Sequence, residues 1–143
     1  MEYRPILYVE DREDDALLLQ QALRKTGFVQ PLQFEKNAER AVAYLSGQPP
    51  FEDRELYPLP SLILLDLSMP LMTGIEILQW RQRQPAIRRI PVVVLTSSQQ
   101  RDDVIAAYDA GANAYLVKSP TFEGLLELTK AIKIFWFTHN TFP

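Results

Sequence analysis

Short apolar runs recur along the chain, separated by longer segments of helical periodicity. The runs are Ile6-Leu7-Tyr8-Val9, Leu62-Ile63-Leu64-Leu65, Val92-Val93-Val94-Leu95 and Ala114-Tyr115-Leu116-Val117, and strand two is placed at Leu32 to Glu35. Such runs suit strands covered on both faces, as in a parallel sheet with helices on either side. The intervening segments predict the helices. The first starts near Asp14 and Asp15, carries Leu17, Leu18, Ala22 and Leu23, and stops at Gly27. Asn37 caps a second through Ala38, Ala41, Val42 and Leu45, ending near Gly47. A third covers Gly74 to Arg83, and Pro91 then sets the start of the fourth strand. A fourth runs from about Arg101 to Ala110, closed by Gly111, with Asn113 leading into the fifth strand. The last begins around Phe122 and continues through Leu125, Leu126, Leu128, Ile132 and Phe135. Between the second helix and third strand, residues 48–60 hold four prolines and read as a surface insertion.

Strict alternation of five strands with five helices gives an α/β fold, a doubly wound parallel sheet. It resembles the flavodoxin-like arrangement, strand order 2-1-3-4-5 with right-handed crossovers. Composition narrows the function classes. A chain of 143 residues fits one domain with a single core, so one site or one surface is expected. A net charge of −3 leaves no basic footprint for direct nucleic-acid binding. With no cysteine, disulfides and thiol catalysis are excluded. The start Met1-Glu2-Tyr3-Arg4-Pro5 lacks the apolar stretch of a signal peptide, and no run approaches the roughly 20 residues of a membrane span. A cytoplasmic protein without membrane association is the expectation.

In an open parallel sheet, chemistry gathers beyond the carboxyl ends of the strands. There the first strand ends in Glu10-Asp11, the third in Asp66 and the fourth in Thr96, and the fifth ends in Lys118. Acids, a hydroxyl and an amine are thus delivered to one edge. Glu10-Asp11, Asp66 within Asp66-Leu67-Ser68-Met69-Pro70, Thr96, Tyr115 and Lys118, in that order, resemble receiver domains of two-component response regulators from Ile6 to about Ile132. The resemblance implies phosphoryl transfer from a phosphohistidine of a sensor histidine kinase to Asp66. It implies Mg²⁺ held by Asp11 and Asp66, with Glu10 acting through water and Ser68 offering its backbone carbonyl; Mn²⁺ can substitute, since the donors are all oxygen. Lys118 would face one phosphoryl oxygen and Thr96 another, with Tyr115 as an aromatic switch following Thr96. Ser68 and Ser98 take the positions that tune hydrolysis of the acyl phosphate. Glu13, Asp14 and Asp15 are assigned to the start of the first helix, as caps and partners of its dipole, and given no site role. His139, the only histidine, reads as a surface residue. One departure stands out: Ser119 separates Lys118 from Pro120, where the family usually has proline directly after the lysine.

The tail Ile134-Phe135-Trp136-Phe137 with Phe142-Pro143 is unusually apolar, and one helix face cannot bury all of it. With so few residues after Phe122, output is expected through contacts, with a downstream protein as target. The chain is similar to stand-alone receivers that partner phytochrome histidine kinases in cyanobacteria. A homodimer through Phe135, Trp136, Phe137 and Phe142 is expected from that similarity. Intrinsic chemistry would be limited to self-phosphorylation and autodephosphorylation. Two rivals are a phosphorylation-independent scaffold and an aspartate-nucleophile phosphatase of the haloacid dehalogenase type, whose second acid would fall where Ser68 stands.

Overall fold

The computed structural model describes residues 4–69 and 73–143. Met1 to Tyr3 of the amino-terminal reading and Pro70 of the strand-end motif lie outside the described residues. The elements follow in the order β1 (Ile6–Val9), α1 (Glu13–Lys25), β2 (Leu32–Glu35), α2 (Ala38–Ser46), β3 (Leu62–Leu65), α3 (Gly74–Gln82), β4 (Val92–Thr96), α4 (Arg101–Asp109), β5 (Ala114–Val117) and α5 (Phe122–Ile132). All strand pairs are parallel, in the order β2-β1-β3-β4-β5. Ile6 lies opposite both Leu32 and Leu62, and Thr96 opposite Val117.

Side chains alternate across the pleat, so each strand feeds two cores. Leu7, Val9, Ile63, Leu65, Val92 and Val94 pack with Ala41, Leu45, Ile77 and Ala107 on one face, which α2, α3 and α4 cover. Ile6, Tyr8, Leu62, Leu64, Val93 and Leu95 pack with Ala16, Leu19, Leu23 and Ile132 on the other, under α1 and α5. β1, β3 and β4 are buried on both faces and read as unbroken apolar runs, whereas the edge strand β2, Leu32-Gln33-Phe34-Glu35, alternates apolar with polar.

Local signals place most helix ends. Asn37 Oδ1 accepts from the Arg40 amide at 2.8 Å, and Gly47 closes α2 at φ 69°. Thr73 and Glu76 form a reciprocal capping box at the start of α3. Helix α1 departs from expectation. Its N-cap is Arg12 without a side-chain cap bond, and Glu13, Asp14 and Asp15 occupy the first turn instead of capping it.

The insertion is not a free surface excursion. Phe51 is buried, Tyr57 and Leu59 join the α2–α4 core, and Phe51, Tyr44 and Tyr57 stack edge to face at 5.1 to 6.3 Å. Arg54 donates to the carbonyls of Tyr44, Leu45 and Tyr57 at 2.7 to 3.1 Å. It thereby serves orphan carbonyls at the end of α2. The proline count pointed outward, but the aromatic residues between the prolines carry more apolar area than a surface loop can leave exposed.

Beyond Ile132 the chain does not continue as an α-helix to Phe135. It widens into a π-helical segment, Lys133–His139, tied by the Asn140 amide to the Phe135 carbonyl at 2.7 Å. The Lys133 ammonium donates to the Thr26 carbonyl at 2.9 Å, joining this segment to the end of α1. No helix among the described residues is long and apolar enough to cross a membrane.

Candidate functional site

The sheet itself positions the site residues. Beyond the last paired residues its ladder continues: the Glu10 amide bonds the Glu35 carbonyl at 3.1 Å, and the Asp66 amide the Val9 carbonyl at 3.0 Å. The Lys118 amide bonds the Thr96 carbonyl at 2.8 Å. Glu10, Asp66 and Thr96 are buried, Asp11 is exposed and Lys118 is half-buried. Carboxylate oxygens of Glu10, Asp11 and Asp66 lie within 4.8 Å of one another. The Lys118 ammonium contacts Glu10 Oε2 closely, Asp15 Oδ2 at 3.0 Å and Asp66 Oδ2 at 3.9 Å. Ser68, exposed, directs its backbone N–H to Asp66 Oδ1 at 3.4 Å.

The buried acid of the cluster, Glu10, is perturbed by its surroundings. Burial, with Asp66 beside it, pushes the Glu10 carboxyl up to about 7, against the pull of Lys118. Burial works to lower the Lys118 pKa, but Glu10, Asp66 and Asp15 more than reverse it, leaving the ammonium above the ordinary lysine value. Burial and the Glu10 charge raise the Tyr8 hydroxyl, which donates to Glu10 Oε2 at 3.1 Å.

Tyr115 lies over the β4–α4 loop, its hydroxyl donating to the Ser98 carbonyl at 2.9 Å, two residues beyond Thr96. Ser98 Oγ in turn donates to Asp103 in the first turn of α4. The Lys118–Ser119 peptide is trans; among the described residues the cis bond is Pro49–Pro50. His139 is exposed.

The tail divides. Trp136 and Phe137 pack on the α1–α5 face, with Phe137 edge-on to Phe28 at 5.6 Å and Phe142 5.5 Å from Phe137. Phe135 and Ile134 remain exposed, at 57% and 55%. The sequence reading missed Asp15 and Tyr8 as neighbours of the cluster. Asp15 is four residues before the buried Leu19, and this helical spacing turns it toward the sheet.

Residues 6–130 match the response regulator receiver domain, and the chain belongs to that family. Among curated relatives, response regulator Rcp1 of Synechocystis sp. is 39% identical over 138 residues, covering 96% of this chain and 92% of Rcp1. The crystal structure of the Mn²⁺-bound form of Rcp1 superposes with a TM-score of 0.86 at 38% identity, covering 98% of this chain and 99% of that one. That of the phosphorylated cyanobacterial phytochrome response regulator RcpA gives 0.91 at 34% identity, covering 99% of each. The chain is thus a signalling protein of the two-component class, related to phytochrome response regulators.

Proposed function

We propose that this receiver accepts a phosphoryl group on Asp66 from a phytochrome-type sensor histidine kinase, with Mg²⁺ as cofactor, and signals through protein contacts. The observation that carries the reading is the meeting of the Glu10, Asp11 and Asp66 carboxylates within 4.8 Å, with the Lys118 ammonium 3.9 Å from Asp66. An all-oxygen cluster with one exposed member suits a hard divalent cation that keeps several waters. Asp11 and Asp66 would hold it, with Glu10 behind them and the Ser68 carbonyl alongside. When bound, Mg²⁺ supplies positive charge that offsets repulsion between Asp66 and the incoming phosphoryl oxygens.

The chain's own residues supply the rest. Asp66 is the nucleophile, Lys118 a fixed positive charge for one phosphoryl oxygen, and Thr96 the hydroxyl that reads another after transfer. A shift of Thr96 would be felt by Tyr115 through the loop carrying Ser98, and so by α4 through Asp103. Exposed Phe135 is the residue best suited to a homodimer contact, with Trp136, Phe137 and Phe142 as its support. RcpA and Rcp1 support the phytochrome-type kinase as partner; the downstream target is a protein. The phosphatase alternative lacks its second acid, since Ser68 stands two residues after Asp66 where that acid would be.

Intact mass after incubation with acetyl phosphate, with and without Mg²⁺, tests the reading. A Mg²⁺-dependent phosphoryl adduct on wild type and none on Asp66→Asn is the expected result. A wild type that acquires no phosphate from acetyl phosphate or from any phytochrome kinase would overturn it.

A further inference from the structure

We infer that Asp15 is a positioning residue for phosphoryl transfer, acting through Lys118; this rests on the receiver reading of Asp66. An ammonium carries three N–H donors. Here Glu10 Oε2 and Asp15 Oδ2 receive Lys118, the second at 3.0 Å, while Asp66 Oδ2 lies at 3.9 Å. With two donors fixed, the third is left for the space beside Asp66, where a phosphoryl oxygen must sit.

The two anchors are not equivalent. Glu10 is buried, belongs to the carboxylate cluster that suits a cation, and also accepts from the Tyr8 hydroxyl at 3.1 Å and the Arg12 amide at 3.2 Å. Asp15 lies outside that cluster, on the first turn of α1, with its side chain 28% exposed. Its other charged neighbour is Arg12, at 3.9 Å. Asp15 is therefore the anchor of Lys118 that is not shared with the cation cluster. A charge-assisted bond at this distance, from a helix packed on α5, restricts a flexible four-carbon stem that would otherwise sample the site edge.

In the reaction with acetyl phosphate, an Asp66 carboxylate oxygen bonds to phosphorus as the bond from phosphorus to the acetate oxygen breaks. Acetate leaves with that electron pair, and no proton changes hands. Lys118 lowers the barrier only if its free N–H already faces the transferring group, since preorganised charge acts without reorganisation.

The test measures the rate of adduct formation against acetyl phosphate concentration at saturating Mg²⁺ for wild type, Asp15→Asn, Asp15→Glu and Asp14→Asn. Asp14 is an exposed acid in the same turn, so Asp14→Asn makes the same charge change without touching Lys118. Asp15→Asn is expected to lower the saturating rate about tenfold, or about 1.4 kcal/mol, with the half-saturating concentration and Mg²⁺ affinity unchanged. Asp15→Glu should recover part of the loss, and Asp14→Asn should match wild type. The proposal is overturned if Asp15→Asn reaches the wild-type rate, if Asp14→Asn is equally slow, or if Mg²⁺ affinity falls in step with the rate. Wild type that takes up no phosphate fails the receiver reading itself, whereas a phosphorylated wild type with an indifferent Asp15→Asn fails only this assignment.

Discussion

Two partly dry cations sit at opposite edges of the same sheet, and their partners differ in kind. At the carboxyl edge Lys118 is surrounded by the carboxylates of Glu10, Asp15 and Asp66. At the amino edge Arg81 of α3, only 4% exposed, directs Nε and Nη2 to the Ile90 carbonyl at 3.0 and 2.7 Å and Nη1 to the Gly111 carbonyl at 3.3 Å. Asn113 Oδ1 extends this clip, accepting from the Val92 amide at 2.8 Å and facing Arg81 Nη2 at 3.5 Å. Carbonyl dipoles hold an arginine without titrating and offer nothing for a ligand to displace. Carboxylates hold a lysine in a net that protons, cations and phosphate can all rearrange. One edge is a staple, the other the candidate site, and the chemistry of the partners makes the difference.

The largest effect that tests this contrast is on stability at the staple. Arg81→Ala strands the carbonyls of Ile90 and Gly111 and should cost about 3 kcal/mol in chemical denaturation, while phosphoryl uptake per folded molecule stays within about twofold. If uptake fell with stability, the two edges would not be separable. Lys118→Ala should do the reverse, cutting the phosphorylation rate about a hundredfold, roughly 2.7 kcal/mol, with a smaller loss of stability; stopped-time mass spectrometry reads it. Third is pH. The Glu10 carboxyl is raised in the folded state to about 7 from an ordinary 4.5, so folding favours its protonated form. Its contribution is complete below about 4.5 and is lost as pH rises toward 7. Cation-free protein should therefore lose on the order of 1 kcal/mol or more over that window, and Glu10→Gln should flatten the slope, whereas Arg81→Ala should leave it unchanged. The smallest effect is at Tyr115. Tyr115→Phe removes one bond to the Ser98 carbonyl and should cost about 1 kcal/mol or less. A smaller phosphorylation-induced change in the backbone NMR shifts of α4 in Tyr115→Phe than in wild type would point to a coupling role beyond that bond.

The same contrast explains what could be read in the chain before the fold was known. Strands buried on both faces announce themselves as apolar runs, and whatever polar residue follows each run must lie at the sheet edge, so Glu10, Asp66, Thr96 and Lys118 were legible. Asp15 was not, because its partner Lys118 is remote in sequence and its neighbours Glu13 and Asp14 satisfy the local logic of a helix start. Arg81 looks like any solvated helix residue; only the approach of Ile90 and Gly111 makes it a clip. The insertion was misjudged because prolines are local signals, whereas the fit of Phe51 against Tyr44 is tertiary. The tail was half legible: its apolar excess was clear, but not that Trp136 and Phe137 would turn inward while Phe135 stayed out.

The ladder bonds that carry the sheet one residue past its strands, from Glu10 to Glu35, Asp66 to Val9 and Lys118 to Thr96, have a further meaning. Each residue of slip along a strand moves a side chain by about 3.3 Å and turns it to the opposite face. A chain with β1 or β3 unzipped or out of register therefore has no assembled acid cluster, and one with β5 so displaced has no aligned lysine. On the proposed reading of Asp66, competence to be modified would certify completed folding: immature or damaged copies would draw no phosphate away from the copies able to pass the message on.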